Sequence, residues 1–220
     1  MFIEKVMNFL KHPAFISIIV LVVGISLVVG IIRAIPEEQI ESAPRVDRVY
    51  GNPNSKVVLE SYSDLQCPAC RVYWLNSEKQ LLEKYKDTVR FEFKHYPLPI
   101  HANAKLAAEA SEAAGSQGKF LEFIDYVYEK QSRTESDSWS VEKFTEYARA
   151  VGVADIERFE RELRNKYYRQ AVEEWVDKAE ERGVDSTPTI FIDGKKMNSY
   201  DFETLSNELD SALSKENPAS

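Results

Sequence analysis

The sequence predicts an α/β fold, a mixed β-sheet interrupted by a block of helices, and three observations carry that expectation. Val57 to Tyr62 (VVLESY) has the β-branched, apolar character of a buried strand and passes through the polar turn Ser63-Asp64 towards a helix. Val89, Phe91, Phe93 and His95 alternate with Arg90, Glu92, Lys94 and Tyr96, the period-two mark of a second strand with one apolar face. Far downstream, Thr189-Ile190-Phe191-Ile192 and the hairpin dipeptide Asp193-Gly194 return the pattern to strands. Everything between the second strand and that hairpin has helical periodicity.

In chain order, residues 1–13 form a short N-terminal segment holding Lys5 and Lys11, and residues 14–32 run for 19 positions without a charge. At about 1.5 Å per residue such a helix crosses the roughly 30 Å hydrocarbon layer, so one transmembrane anchor is expected. The run exceeds the about 7–15 residues of a signal-peptide core, and no A-x-A-like site closes it, which favours an anchor over a cleaved leader. Cations before the span, with Glu37, Glu38 and Glu41 soon after Arg33, orient it with the N-terminus in the cytoplasm and the bulk of the chain outside. Residues 33–55, with Pro36, Pro44, Gly51 and Pro53 and no periodicity, read as a linker. The folded domain is expected over 56–214, with 215–220 a disordered tail.

Inside that domain Cys67-Pro68-Ala69-Cys70 opens the first helix. Pro68 suits a first turn, where its missing N–H has no helical partner to lose, and Tyr73, Trp74, Leu81, Leu82 and Tyr85 recur at helical spacing. Pro97 and Pro99 stop the second strand. Four helices are expected in the insertion, at about 101–183. The first is the Ala-rich run 102–114, and the second carries Phe120, Phe123, Ile124, Val127 and Tyr128. The third is capped by Ser140 and ended by Gly152, and a long fourth runs from Asp155 to Gly183. A last helix after the hairpin carries Phe202, Leu205 and Leu209.

A net charge of -8 argues against nucleic acid as a partner, because neutralising phosphates takes clustered Lys and Arg. The chain has two cysteines, three positions apart, in a domain expected to lie in an oxidising compartment. So short a loop gains little as a structural staple, since the stabilisation grows with the residues enclosed. On the first turn of a helix the two sulfurs share a face and can open and close a disulfide. The helix start also places Cys67 by unpaired backbone N–H groups and the positive dipole end, which favour a thiolate. Cys67 is thus the expected attacking thiol and Cys70, one turn in, the shielded resolving one. The same spacing also supplies half of many zinc sites, and that reading would have to recruit His95 and His101. His95 sits on an apolar strand face and reads first as a satisfied strand histidine; Asp64 reads as a turn former that accepts backbone N–H bonds.

From Val57 to Leu213 the chain resembles the DsbA-like branch of the thioredoxin superfamily, particularly the membrane-anchored DsbA and BdbD-type proteins. The likeness rests on Ser61-Tyr62-Ser63-Asp64-Leu65-Gln66-Cys67-Pro68-Ala69-Cys70, on His95-Tyr96-Pro97-Leu98 with His101 and Ala104, and on Gln117-Gly118-Lys119-Phe120. Its last part is Thr187-Pro188-Thr189-Ile190-Phe191-Ile192-Asp193-Gly194. The resemblance implies a thioredoxin-like fold in which Pro188 is cis and faces the cysteine pair, while the backbone of Thr187 pairs with an extended substrate. Many relatives carry a buried acid six residues before the first cysteine; here Ser61 stands there, and Glu60, its strand neighbour, points to the other face. Pro68-Ala69 also lacks the histidine of the most oxidising members, so a less extreme potential is expected.

The resemblance implies an extracytoplasmic dithiol oxidase that introduces disulfides into unfolded or thiol-bearing proteins, working as a monomer without metal or organic cofactor. A membrane oxidase of the DsbB or VKOR type would reoxidise it. Its rivals are a disulfide reductase or isomerase of the same fold and, from another class, a tethered chaperone or binding module in which the cysteines are incidental.

Overall fold

The computed structural model describes residues 48–216. The expected N-terminal segment, membrane span and most of the linker lie outside the described residues. Among the described residues no helix is long and apolar enough to cross a membrane.

A five-stranded sheet is built from β1 (Val49–Gly51), β2 (Val58–Ser63), β3 (Arg90–His95), β4 (Thr189–Ile192) and β5 (Lys195–Lys196), in the spatial order β1-β3-β2-β4-β5. β2 and β3 run parallel, with Ser61 opposite Phe93; the other neighbours are antiparallel. A parallel pair needs a crossover, supplied here by α1 (Pro68–Tyr73), a π-helical turn (Trp74–Glu78) and α2 (Lys79–Tyr85) in succession. β2 lies at the centre and is buried along most of its length, while β3 alternates as expected, with Phe91, Phe93 and His95 inside. Asp193 and Gly194 both take positive φ in the tight turn between β4 and β5.

β1 falls where the sequence reads as linker, so the domain starts earlier than the expected residue 56. Three residues are too few for periodicity to declare. Gly51 (φ +76°) ends the strand, and a Cβ there would run into the Val89 carbonyl oxygen, so the close pairing with β3 calls for glycine. Arg48, just before β1, adds a long-range tie: its Nη2 donates to Glu112 Oε2 at 2.8 Å, and Glu112 Oε1 also bonds His95 Nε2 at 3.0 Å.

The insertion holds six helices among the described residues rather than four: α3 (Ala104–Gly115), α4 (Phe120–Lys130), α5 (Arg133–Asp137), α6 (Val141–Ala150), α7 (Ile156–Arg164) and α8 (Arg169–Glu181). Ser140 and Asp155 cap as expected, accepting the Lys143 and Arg158 amides. The expected long fourth helix is broken because Lys166 adopts a left-handed conformation (φ +55°) that ends α7 without a glycine to announce it. α9 (Phe202–Glu216) runs into the expected tail.

Two apolar clusters lie side by side on one face of the sheet, Leu65, Trp74, Phe93, Phe123, Phe144 and Phe159 towards the insertion and Leu59, Leu81, Phe91, Ile190, Leu205 and Leu209 towards α9. Tyr62 and Phe191 face the other way and pack with Ala179 and Val184. At about 1.5–3 kcal/mol for each fully buried large apolar side chain, these layers hold the end of β2 and the start of α1 in a fixed relation.

Candidate active site

The strand-to-helix turn is fixed by side chains that satisfy its backbone. Asp64 is almost wholly buried; its Oδ1 accepts Gln66 N at 2.7 Å, and its Oδ2 accepts Leu98 N at 2.8 Å and bonds His101 Nδ1 at 2.7 Å. Gln66 Oε1 in turn accepts Asn103 N at 2.7 Å, and Gln131 Nε2 donates to Leu65 O at 2.8 Å. The insertion therefore positions the turn. Asp64 is the backbone acceptor that its place in the sequence suggests, and it also recruits His101.

Cys67 is the N-cap of α1 and Pro68 its first residue. Both cysteines are free thiols. Cys67 keeps 6% of its surface and Cys70 none, so the expected asymmetry holds, although Cys67 is more enclosed than an exposed helix end suggests. Pro68 is exposed and Ala69 half-buried, which leaves the rim of the turn open beside the Cys67 sulfur.

Across from the pair lies the loop before β4. The Thr187–Pro188 peptide bond is cis, and the Thr187 carbonyl oxygen lies 3.6 Å from Cys67 Sγ. The structure thus brings all six sequence-predicted residues together: Cys67, Pro68, Ala69 and Cys70 on one side, Thr187 and Pro188 on the other. His95 and His101 do not join them. His95 bonds Glu112 and Ser111 within the core, and His101 bonds Asp64.

The two thiols are electrostatically unlike. Cys67 is lowered to about 6, chiefly by the hydrogen bond from the Cys70 thiol, then by the Cys70 backbone N–H, Thr187 and the Ala69 backbone N–H in that order; burial opposes them. Cys70 is pushed well above the ordinary thiol value by burial first, then by the neighbouring Cys67 sulfur. Its Sγ accepts the Asp64 backbone N–H at 3.4 Å. At pH 7 a thiol of pKa about 6 is roughly nine-tenths thiolate, so one sulfur attacks while the other waits protonated. The rate of alkylation of Cys67 by iodoacetamide in the full chain is expected to fall as pH drops through about 6. In Cys70→Ala, which removes the donated hydrogen bond, that inflection should move upward by one pH unit or more. An unchanged inflection in the variant would assign the lowering to the helix terminus alone.

One buried group beneath the pair has no counterpart in the sequence reading. Glu78, in the π-helical turn, is fully buried; Tyr50 and Ser61 donate to its Oε1 at 2.7 and 2.9 Å, and its Oε2 has no hydrogen-bond partner. Burial raises its carboxyl to about 7. The signal existed: Trp74, Glu78, Leu81 and Tyr85 fall on one face at i, i+4, i+7 and i+11. Ser61 occupies the place where relatives carry an acid and meets this one, whereas Glu60 turns away to Arg182 and Lys94.

A dithiol on the first turn of a helix that follows a central strand, faced by a cis-proline loop leading into a hairpin, defines a protein of thioredoxin fold. A family model described as thioredoxin matches residues 44–211, and the chain belongs to that family. A Na(+)/H(+) antiporter NhaA of Herminiimonas arsenicoxydans is 31% identical over 170 residues, covering 77% of this chain and 26% of that protein. This chain thus spans about a quarter of the antiporter's length. A probable disulfide bond formation protein D of Bacillus cereus is 28% identical over 171 residues, covering 75% of this chain and 78% of that one. The structure of oxidised BdbD from Bacillus subtilis superposes with a TM-score of 0.70 at 23% identity, covering 76% of this chain and 92% of that one.

Proposed function

We propose that the chain is a thiol-disulfide oxidoreductase, working as a dithiol oxidase outside the cytoplasm on thiol-bearing polypeptides. The observation that carries this is the unequal pair itself: a Cys67 at the rim whose pKa is lowered to about 6, a fully buried Cys70, and the Thr187 carbonyl 3.6 Å from the Cys67 sulfur. A substrate thiolate attacks Cys67 Sγ of the oxidised pair, the Cys67–Cys70 bond breaks, and Cys70 leaves with the bonding electrons. The substrate's second thiolate then attacks its own sulfur in the mixed disulfide and releases the Cys67 thiolate. The substrate loses two electrons and the cysteine pair gains them. Backbone at Thr187, the residue before Pro188, holds the substrate as an added strand beside Cys67.

The same electrostatics support this direction. A low Cys67 pKa stabilises the reduced protein as its thiolate, and a stabilised reduced form makes a stronger oxidant. The uncharged run 14–32 supports a membrane tether with the domain outside, where a DsbB- or VKOR-type membrane oxidase would take the electrons. Antiport is not adopted: the chain spans a minor fraction of the antiporter relative, and its site is a dithiol.

Equilibration of the full chain with glutathione redox buffer at pH 7 tests the direction. A potential well above the about -270 mV of thioredoxin is expected; a value at or below it would make the protein a reductase.

A further inference from the structure

The first turn of α1 carries a cation that the exchange chemistry above does not use. Arg71 follows Cys70 directly, and its backbone N–H donates to the Cys67 carbonyl at 3.1 Å, so its side chain stands one helical turn from the attacking sulfur on the same side of the helix. Resting on the dithiol-exchange reading above, we propose that Arg71 is a specificity-determining residue: its guanidinium takes an Asp or Glu carboxylate lying within two residues of the reacting cysteine of a polypeptide substrate.

The head of the side chain is fixed at one end and open at the other. Arg71 is half-buried, and its Nε donates to the Tyr128 carbonyl oxygen at 2.8 Å. That carbonyl is among the last four of α4 and has no donor within the helix, so the arginine satisfies it and is held by it. With Nε committed, Nη1 and Nη2 have no hydrogen-bond or ion-pair partner among the described residues, and neither is buried. They form the planar end of the fork, which grips a carboxylate with two parallel N–H···O bonds. Capping α4 takes one donor and leaves the outward end of the fork unexplained.

The fold sets this end beside the reaction. Gln131, three residues after Tyr128, donates through Nε2 to the carbonyl of Leu65, two before Cys67, so the end of α4 borders the active-site turn. α4 packs on β3 through Phe120 and Phe93, whereas the cis-proline loop enters β4 on the other side of β2. Arg71 and Thr187 therefore flank Cys67 from opposite sides. An extended chain advances roughly 3.3 Å per residue, so a strand held at Thr187 with its cysteine on Cys67 brings a side chain one or two residues away over the Arg71 rim.

Charge favours the same placement. On the cis-proline side Asp185, two residues before Thr187, is exposed; the nearby Tyr96 hydroxyl is raised by burial and then by the negative charges of Glu180 and Asp185. Arg182, in the same stretch, is engaged by Glu60 and the Tyr62 hydroxyl. Lys130, at the end of α4, lies over the Tyr126 ring. A carboxylate is thus repelled from one rim and drawn to the open guanidinium on the other.

The test is the rate at which the oxidised full-length chain oxidises dithiol peptides that are identical except for Glu, Gln or Lys placed in turn at each position within two residues of the reacting cysteine. At its best position Glu is expected to exceed Gln about 5-fold in kcat/KM, and Lys to fall below Gln. The Glu-to-Gln ratio should fall towards about 1 in 1 M NaCl, where the Debye length is about 3 Å. Arg71→Gln keeps a donor for the Tyr128 carbonyl, removes the charge and should bring the ratio to about 1; Arg71→Lys, charged but without the fork, is expected to keep about 2-fold. A ratio between peptides cancels any general loss of stability, so a purely structural Arg71 would leave it at the wild-type value. A wild-type ratio of about 1 at every position, a ratio that survives in Arg71→Gln, or one that salt does not move overturns the proposal and leaves dithiol exchange standing. A wild-type protein that oxidises none of the peptides overturns the dithiol reading and this one with it.

Discussion

Cys67→Ser is expected to lose all disulfide exchange, while Cys70→Ser is expected to react once and stop. The difference follows from the positions of the sulfurs. Cys67 keeps the only exposed surface of the pair and bears the charge, so without it no substrate sulfur meets a nucleophile. Cys70 has no surface, and its contribution is to resolve the mixed disulfide from within. Serine at position 70 still offers an O–H to the Cys67 sulfur, so the thiolate stays ionised and attacks oxidised glutathione, but nothing displaces the adduct. Mass spectrometry of Cys70→Ser should show one glutathione per chain, stable until a thiol is added, and none on Cys67→Ser. A binding module with incidental cysteines would instead keep its function in the doubly substituted protein. If Cys70→Ser forms no adduct, Cys67 is not the attacking thiol.

The parts of this site that were legible in the sequence are those whose signal is local. Pro68 after Cys67 marks a helix start on its own, Asp193-Gly194 marks a hairpin, and the alternation from Val89 to His95 marks β3. The juxtaposition of Thr187 with Cys67, 120 positions apart, has no local signal and came only through family resemblance. β1 went unseen because three residues cannot show a period, and the break at Lys166 because a non-glycine residue in the left-handed region leaves no mark. Glu78 was hidden differently. Its spacing from Trp74 and Leu81 puts it on the apolar face, but charged residues are rarely buried unpaired, so the spacing alone does not single it out.

That exception has a consequence for stability, because the domain buries two glutamates in opposite electrostatic settings. Glu112 is held below the usual carboxylate range by His95 and Arg48, against the cost of burial. A depressed acid stabilises the fold above its unfolded value near 4.5, and that stability is lost as pH falls through the folded value. Glu78 has hydroxyls in place of cations and is raised to about 7. A raised acid does the reverse: the fold is most favoured below about 4.5, and stability drains as pH climbs towards and past 7, by roughly 2–3 kcal/mol between pH 5 and 8. Glu112→Gln is therefore expected to destabilise the protein by about 3–5 kcal/mol at pH 7, since it leaves the largely buried Arg48 without its counter-charge. Glu78→Gln is expected to gain on the wild type steadily from pH 5 to 8, whatever its starting stability. Urea denaturation of the reduced proteins at several pH values measures both. Parallel pH dependences for Glu78→Gln and wild type would mean that Glu78 is ionised throughout, and that its hydroxyl partners hold the buried carboxylate charged without a cation.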